Sequence, residues 1–206
     1  MSNIKIQPKD DQSLTFPNLI KEFAETILLA MVIFVSINIV TARFKIEGNS
    51  MLDSFKTGQH IVVNKLAYRF NTPKKGDVVV FIPTMNTTTS FWENILGRPG
   101  QTDYIKRVIG TPGDIVKISD GKLYINENQK DEPYLHEPMI ISQTQQWNLA
   151  EDQYLVLGDN RNYSKDSRMD DIGPITREQI LGQVWAVYFP IQDAHIVTQY
   201  NIATNK

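Results

Sequence analysis

Val116-Lys117-Ile118-Ser119-Asp120-Gly121-Lys122-Leu123-Tyr124-Ile125 decides the fold class. Two short runs in which apolar and polar residues alternate flank Asp120-Gly121, a pair that tolerates the positive φ angles of a two-residue hairpin turn, so the stretch reads as two antiparallel strands. The same short period recurs on both sides. Arg43-Phe44-Lys45-Ile46-Glu47 alternates, His60-Ile61-Val62-Val63 and Asp77-Val78-Val79-Val80-Phe81-Ile82 are β-branched runs, and Gln183-Val184-Trp185-Ala186-Val187-Tyr188-Phe189 is a further strand ended by Pro190. Beyond the N-terminal region, helical periodicity is confined to residues 176–181, where Thr176 and Gln179 are spaced as a capping box. Residues 43–206 are therefore expected to form one mainly β, antiparallel domain. Within it, residues 83–103 make a long polar insertion carrying an apolar knot, Phe91, Trp92, Ile95 and Leu96, suited either to a membrane interface or to covering the core.

The N-terminal region has a different character. Residues 27–42 read ILLAMVIFVSINIVTA, interrupted only by Ser36, Asn38 and Thr41, and counting back to Phe23 reaches the length of a membrane crossing while including Glu25. We expect a tail over 1–22 and a transmembrane anchor over 23–42. A buried core helix or the apolar part of a cleaved signal would share this composition, but no small-x-small cleavage site precedes the folded part. Lys5, Lys9 and Lys21 precede the span while Arg43 and Lys45 follow it, so charge decides its orientation only weakly.

Composition excludes several functions. A net charge of −2 over 206 residues leaves no electrostatic footprint for nucleic acid. The absence of cysteine rules out disulfides, thiolate metal sites and thiol nucleophiles. His60, His136 and His195 lack metal-ligand spacing, so neither a metal nor an organic cofactor is expected.

What remains is hydroxyl chemistry without a histidine base. Ser50 stands in Gly48-Asn49-Ser50-Met51, and Lys106 follows Asp103-Tyr104-Ile105. A serine hydroxyl needs a base, and lysine serves only when neutral, a state held by fewer than roughly one in a thousand free lysines at pH 7. Burial can lower the lysine pKa enough. Strand alternation puts Lys106 on the face of Tyr104 and Val108, which can supply an apolar pocket, while Arg107 points the other way. Taken singly, Ser50 reads as a turn residue and Lys106 as a snorkelling strand lysine. The stretch Gly158-Asp159-Asn160-Arg161-Asn162-Tyr163-Ser164-Lys165-Asp166-Ser167-Arg168 crowds charge and hydroxyls into one loop, which by itself could be a solvated ion network.

Together, these segments resemble the bacterial type I signal peptidases, membrane-anchored serine peptidases with a serine and lysine dyad. Gly48-Asn49-Ser50-Met51 is similar to the nucleophile box, Val63-Asn64-Lys65-Leu66-Ala67-Tyr68 to the strand that follows it, and Lys106-Arg107-Val108-Ile109-Gly110-Thr111-Pro112-Gly113-Asp114 to the base box. Residues 158–168 match the family's third box at every specified position, and the resemblance runs from the anchor to Pro190. It implies a barrel-like antiparallel domain of the type shared with repressor peptidases. Ser50 would be the nucleophile and Lys106 the general base, with Ser164 orienting Lys106 and two supporting ion pairs, Asp159 with Arg107 and Asp166 with Arg168. The implied substrates are signal-peptide-bearing preproteins with small residues one and three positions before the cut. These would bind as an added strand against residues 44–47 or those just before Lys106. The implied location is the bacterial cell membrane, single-pass, with the N-terminus cytoplasmic and the catalytic domain extracytoplasmic.

Two departures from the family pattern bear on activity. Leu52-Asp53-Ser54-Phe55 replaces a proline-containing run, bringing a carboxylate, Asp53, close to the dyad, where it would favour charged lysine. Gly48 stands where some members carry an oxyanion-binding hydroxyl, leaving the Ser50 N–H as the one donor that can be named. The competing readings are a catalytically impaired, membrane-tethered peptide-binding homologue and a self-cleaving repressor-type peptidase, the latter disfavoured by the anchor and the lack of a DNA-binding domain.

Overall fold

The computed structural model describes residues 16–83, 103–135, 137–140 and 143–202. The knot of Phe91, Trp92, Ile95 and Leu96 lies outside the described residues, as does His136. The chain divides into two units, Met1–Asn38 and Ile39–Lys206.

Helix α1 spans Phe16–Val40, and its stretch Leu19–Val40, with a mean hydropathy of 2.3, is long and apolar enough to cross a membrane. Three of its uncharged polar side chains bond back to the helix itself. Thr26, Ser36 and Asn38 each donate to the carbonyl four residues earlier, at 2.8, 2.7 and 2.8 Å, so the helix surface presents few unsatisfied polar groups. The helix stops two residues before the expected anchor end. Thr41 and Ala42 instead open the first strand, where they face Asn64 and Val63, so the alternation seen from Arg43 begins two residues earlier.

Twelve strands follow in the described residues: β1 Thr41–Lys45, β2 His60–Asn64, β3 Val78–Phe81, β4 Tyr104–Gly110, β5 Ile115–Ser119, β6 Lys122–Ile125, β7 Asn128–Lys130, β8 Gln145–Asn148, β9 Gln153–Leu157, β10 Ile175–Thr176, β11 Ile180–Phe189 and β12 His195–Ile196. All their pairings are antiparallel, as expected for a mainly β antiparallel domain. The larger sheet runs β1-β2-β11-β3-β4-β9-β10 with β12 added to β11, and the smaller runs β7-β6-β5-β8. β3 is buried at every residue, which is why its run of valines shows no alternation, whereas β5 alternates because only one of its faces is covered. The β5–β6 hairpin turns at Asp120 and Gly121, both with positive φ, as the pair predicts.

The stretch expected to continue as a strand through Tyr68 does not. β2 ends at Asn64, whose Oδ1 accepts the Leu66 N–H at 2.9 Å and starts a turn closed by Arg69 N–H to Leu66 O. The capping box at Thr176 and Gln179 is present, on a single 3-10 turn over Arg177–Gln179.

Three apolar clusters hold the domain together. One fills the space beneath the smaller sheet around Ile109, Ile118 and Leu155; another gathers Ile46, Met51, Phe55, Ile61 and Val184; the third joins Phe81, Val108 and Tyr154. Phe55, at 1% exposure, is a core residue, so its departure from the family pattern is a packing choice.

Candidate active site

Ser50 sits on a short turn after β1 and is fixed from both sides. Met51, 1% exposed, plugs the core beneath it, and the Ser50 carbonyl accepts the Asn160 N–H at 3.0 Å. Asn160 adds a side-chain bond to the Asn49 carbonyl at 3.1 Å, tying the serine turn to the loop after β9. Gly48 enters this turn with φ +90, a conformation in which a side chain would be strained.

Lys106 lies on β4 opposite Val79 of β3. β9 pairs with β4 only from Arg107 onward, so the backbone of residues 104–106 has no strand on that side among the described residues. The Lys106 side chain is buried at 2% exposure, near the Tyr104 ring, 5.5 Å from its centroid. Its Nζ hydrogen-bonds Ser50 Oγ at 2.7 Å and donates to the Ile105 carbonyl at 2.8 Å. Burial pushes its pKa down from 10.5 to about 8, against the pull of the Asp166 and Asp159 carboxylates, while the Arg168 guanidinium adds a downward push.

Around the pair lies a groove of about 400 Å³. Phe44, Lys45, Ile46 and Glu47 line one side and Asp103, Tyr104, Ile105 and Lys106 another, with Ile61 of β2 and Val80 of β3 also contributing. β1 and β4 are not neighbours in the sheet order, so the sheet must curl for both to reach one groove, as a barrel-like domain requires.

Behind the groove the charged loop is interior. Asp159, Arg161 and Asp166 are 1%, 3% and 0% exposed, which overturns the reading of a solvated network. Arg107 points away from Lys106 and meets Asp159 through two bonds of 2.8 and 2.5 Å, with the Tyr134 ring 4.3 Å from its guanidinium carbon. Arg168 meets Asp166 through two bonds of 2.8 Å, and Asp166 also accepts the Gly158 N–H at 3.0 Å. Gly158 has no room for a side chain. A Cβ there would fall 2.2 Å from Ser164 Oγ and 2.4 Å from the Ser50 carbonyl oxygen.

Two expectations need correction. Ser164 makes no hydrogen bond to Lys106 in this structure: the Lys106 amine is engaged by Ser50 and Ile105, while the buried Ser164 hydroxyl acts on the Asp166 carboxylate. Asp53 is exposed, and the carboxylates acting on Lys106 are those of Asp166 and Asp159, so the motive for an impaired homologue falls away. Sequence reasoning missed three contributors: Ser54, which donates to Asp159 Oδ2 at 2.5 Å; Asn160; and Glu132, which pairs with the buried Arg161. Arg161 stands in the quoted loop, but its partner lies 29 residues away, where no local spacing points to it.

Residues 20–189 match the family described as signal peptidase, peptidase S26. The chain is 32% identical to the probable signal peptidase I-2 of Synechocystis sp., over 86% of this chain and 77% of that one. It is 33% identical to signal peptidase I of Leptolyngbya laminosa, over 90% and 84%, and 34% identical to signal peptidase IB of Staphylococcus aureus, over 84% and 93%. A buried lysine bonded to a serine in a strand-walled groove thus occurs in a chain that belongs to the signal peptidase family, peptidase S26.

Proposed function

We propose that this protein is a signal peptidase I, a membrane-anchored serine endopeptidase that removes signal peptides from exported preproteins with Ser50 as nucleophile and Lys106 as general base. The observation that carries the reading is the 2.7 Å hydrogen bond between a buried lysine and a half-buried serine in a peptide-sized groove. With a pKa of about 8, roughly one-tenth of Lys106 is neutral at pH 7. Neutral Lys106 takes the Ser50 proton as Oγ attacks the scissile carbonyl. The tetrahedral adduct collapses, expelling the amine of the mature protein, which receives the proton from Lys106. Water deprotonated by the same lysine then releases the signal peptide from Ser50. No metal or organic cofactor enters this chemistry.

The Ser50 N–H serves the developing oxyanion, since Gly48 offers no side chain. The substrate lies as a strand between residues 44–47 and 103–106, with its backbone bonding the open edge of β4. In a strand, residues one and three positions before the cut share a face, so both face the apolar lining of Ile46, Ile61, Val80 and Ile105, where small side chains fit. The Arg107–Asp159 and Arg168–Asp166 pairs act as supports, holding the loop that carries Ser164 and Asn160 against the serine turn. The N-terminus lies in the cytoplasm and the β domain outside, because the bond to be cut emerges on the far side of the membrane.

The test is incubation of the full-length protein, in detergent or liposomes, with a labelled preprotein. Wild type is expected to release the mature product and Ser50→Ala none. Binding without cleavage by wild type would favour the peptide-binding alternative and overturn the enzyme reading.

A further inference from the structure

A second cleft, about 530 Å³ in volume, takes no part in the chemistry above; Ile140, Gln143, Tyr163, Ser164 and Met169 are among its walls. Three of these side chains are large, apolar and exposed, at 84% for Ile140, 74% for Tyr163 and 44% for Met169. Such residues gathered around a concavity mark a contact surface. The two basic residues of the cleft are already neutralised, Arg161 by Glu132 and Arg168 by Asp166, so the cleft suits an uncharged occupant.

Its position identifies the occupant. Ser164 lines this cleft while the next residue, Lys165, lines the catalytic groove, so the two flank one strip of extended chain. Ser164 also crowds Gly158 from the same side as the Ser50 carbonyl, at 2.2 and 2.4 Å from one point, which starts the cleft beside the serine turn. A chain cut at Ser50 has two halves, and the strand-walled groove takes one. The rim is ordered in advance: Asn162 donates to Glu137 Oε1 at 2.8 Å and to the Pro138 carbonyl at 3.1 Å, and accepts the Ile140 N–H at 2.8 Å. A pre-ordered rim loses little entropy on binding.

We propose that this cleft binds the first residues of the mature protein, on the amine side of the scissile bond, and that Tyr163 and Ile140 grip an uncharged, apolar side chain there. The proposal rests on the signal peptidase reading. Because this segment departs with the amine, its contacts accelerate acylation and are absent from the acyl-enzyme.

Two peptides with the same signal side test it on the full-length protein in detergent. One extends several residues beyond the cut with an apolar residue among them, and the other ends one residue after the cut. Wild type is expected to cleave the long peptide with a kcat/KM about tenfold higher. Tyr163→Ser and Ile140→Ser should each erode that advantage while leaving the short peptide and the deacylation rate unchanged. An equal kcat/KM for the two peptides in wild type, or an equal loss on both in the variants, would overturn the proposal. Cleavage of neither peptide by wild type would overturn the peptidase reading, and this proposal with it.

Discussion

A lysine proposed as a base must be neutral to act, and the burial that lowers the Lys106 pKa also makes its charge costly to the fold. Folded, it holds its proton up to a pKa of about 8; unfolded, up to 10.5. Between these values the unfolded chain binds more protons, so stability rises with pH through that window, and below it the full cost of about 3 kcal/mol is present. Lys106→Met is accordingly expected to be inactive yet more stable than wild type near neutral pH, by up to about 3 kcal/mol. That advantage should shrink as pH rises from about 8 toward 10.5. Urea unfolding across this range measures it, and a variant no more stable than wild type at neutral pH would mean the amine is not desolvated. The acylation rate should climb along a limb centred near pH 8, where the neutral amine accumulates, and Lys106→Arg should show no such limb because guanidinium keeps its proton. A limb near 10.5 would remove the buried base from the mechanism. The meeting of Ser50 and Lys106 was legible because each stands in recognisable local wording. The bond expected from Ser164 to Lys106 is not formed, because hydrogen-bond partners depend on side-chain geometry that the order of residues does not contain.

At the scale of elements, the loop after β9 is bonded to the serine turn, and this packing depends on close approach. Gly158→Ala would drive a methyl group to within 2.2 Å of Ser164 Oγ and 2.4 Å of the Ser50 carbonyl oxygen, so the serine turn and the loop must separate. Activity is expected to fall at least a hundredfold, with a loss of about 1–3 kcal/mol in stability measured by denaturant unfolding. Wild-type turnover in this variant would show that the approach is not required. The β5–β6 hairpin was readable from Asp120-Gly121 because the turn residues match their dihedral angles. The adjoining β6–β7 turn was not, since Asn126 and Glu127 take the same positive φ values without a glycine to announce them. β9 escaped for another reason: Tyr154-Leu155-Val156-Leu157 is buried throughout and so carries no alternation.

At the scale of the molecule, where the anchor ends determines which soluble fragment survives. Composition sets the anchor's end at residue 42, but Thr41 and Ala42 pair with Asn64 and Val63, and the self-contained unit begins at Ile39. A fragment that starts at Ile39 keeps all of β1, including Phe44 and Lys45 of the groove wall, whereas one that starts at Arg43 loses two of five ladder positions at the sheet's end strand. The Ile39 fragment is expected to cleave short soluble peptides at close to the full-length rate. It should lose most of its activity toward preproteins embedded in liposomes, because the anchor confines enzyme and substrate to one plane and raises their effective concentration. The Arg43 fragment should melt several degrees lower and cleave the same peptides more slowly, since β1 frays away from the substrate strand. Peptide cleavage and melting temperature, measured on both fragments, separate the two effects. Equal behaviour of the fragments would remove residues 41 and 42 from the working fold, and equal processing of embedded preproteins with and without α1 would remove the anchor from the mechanism.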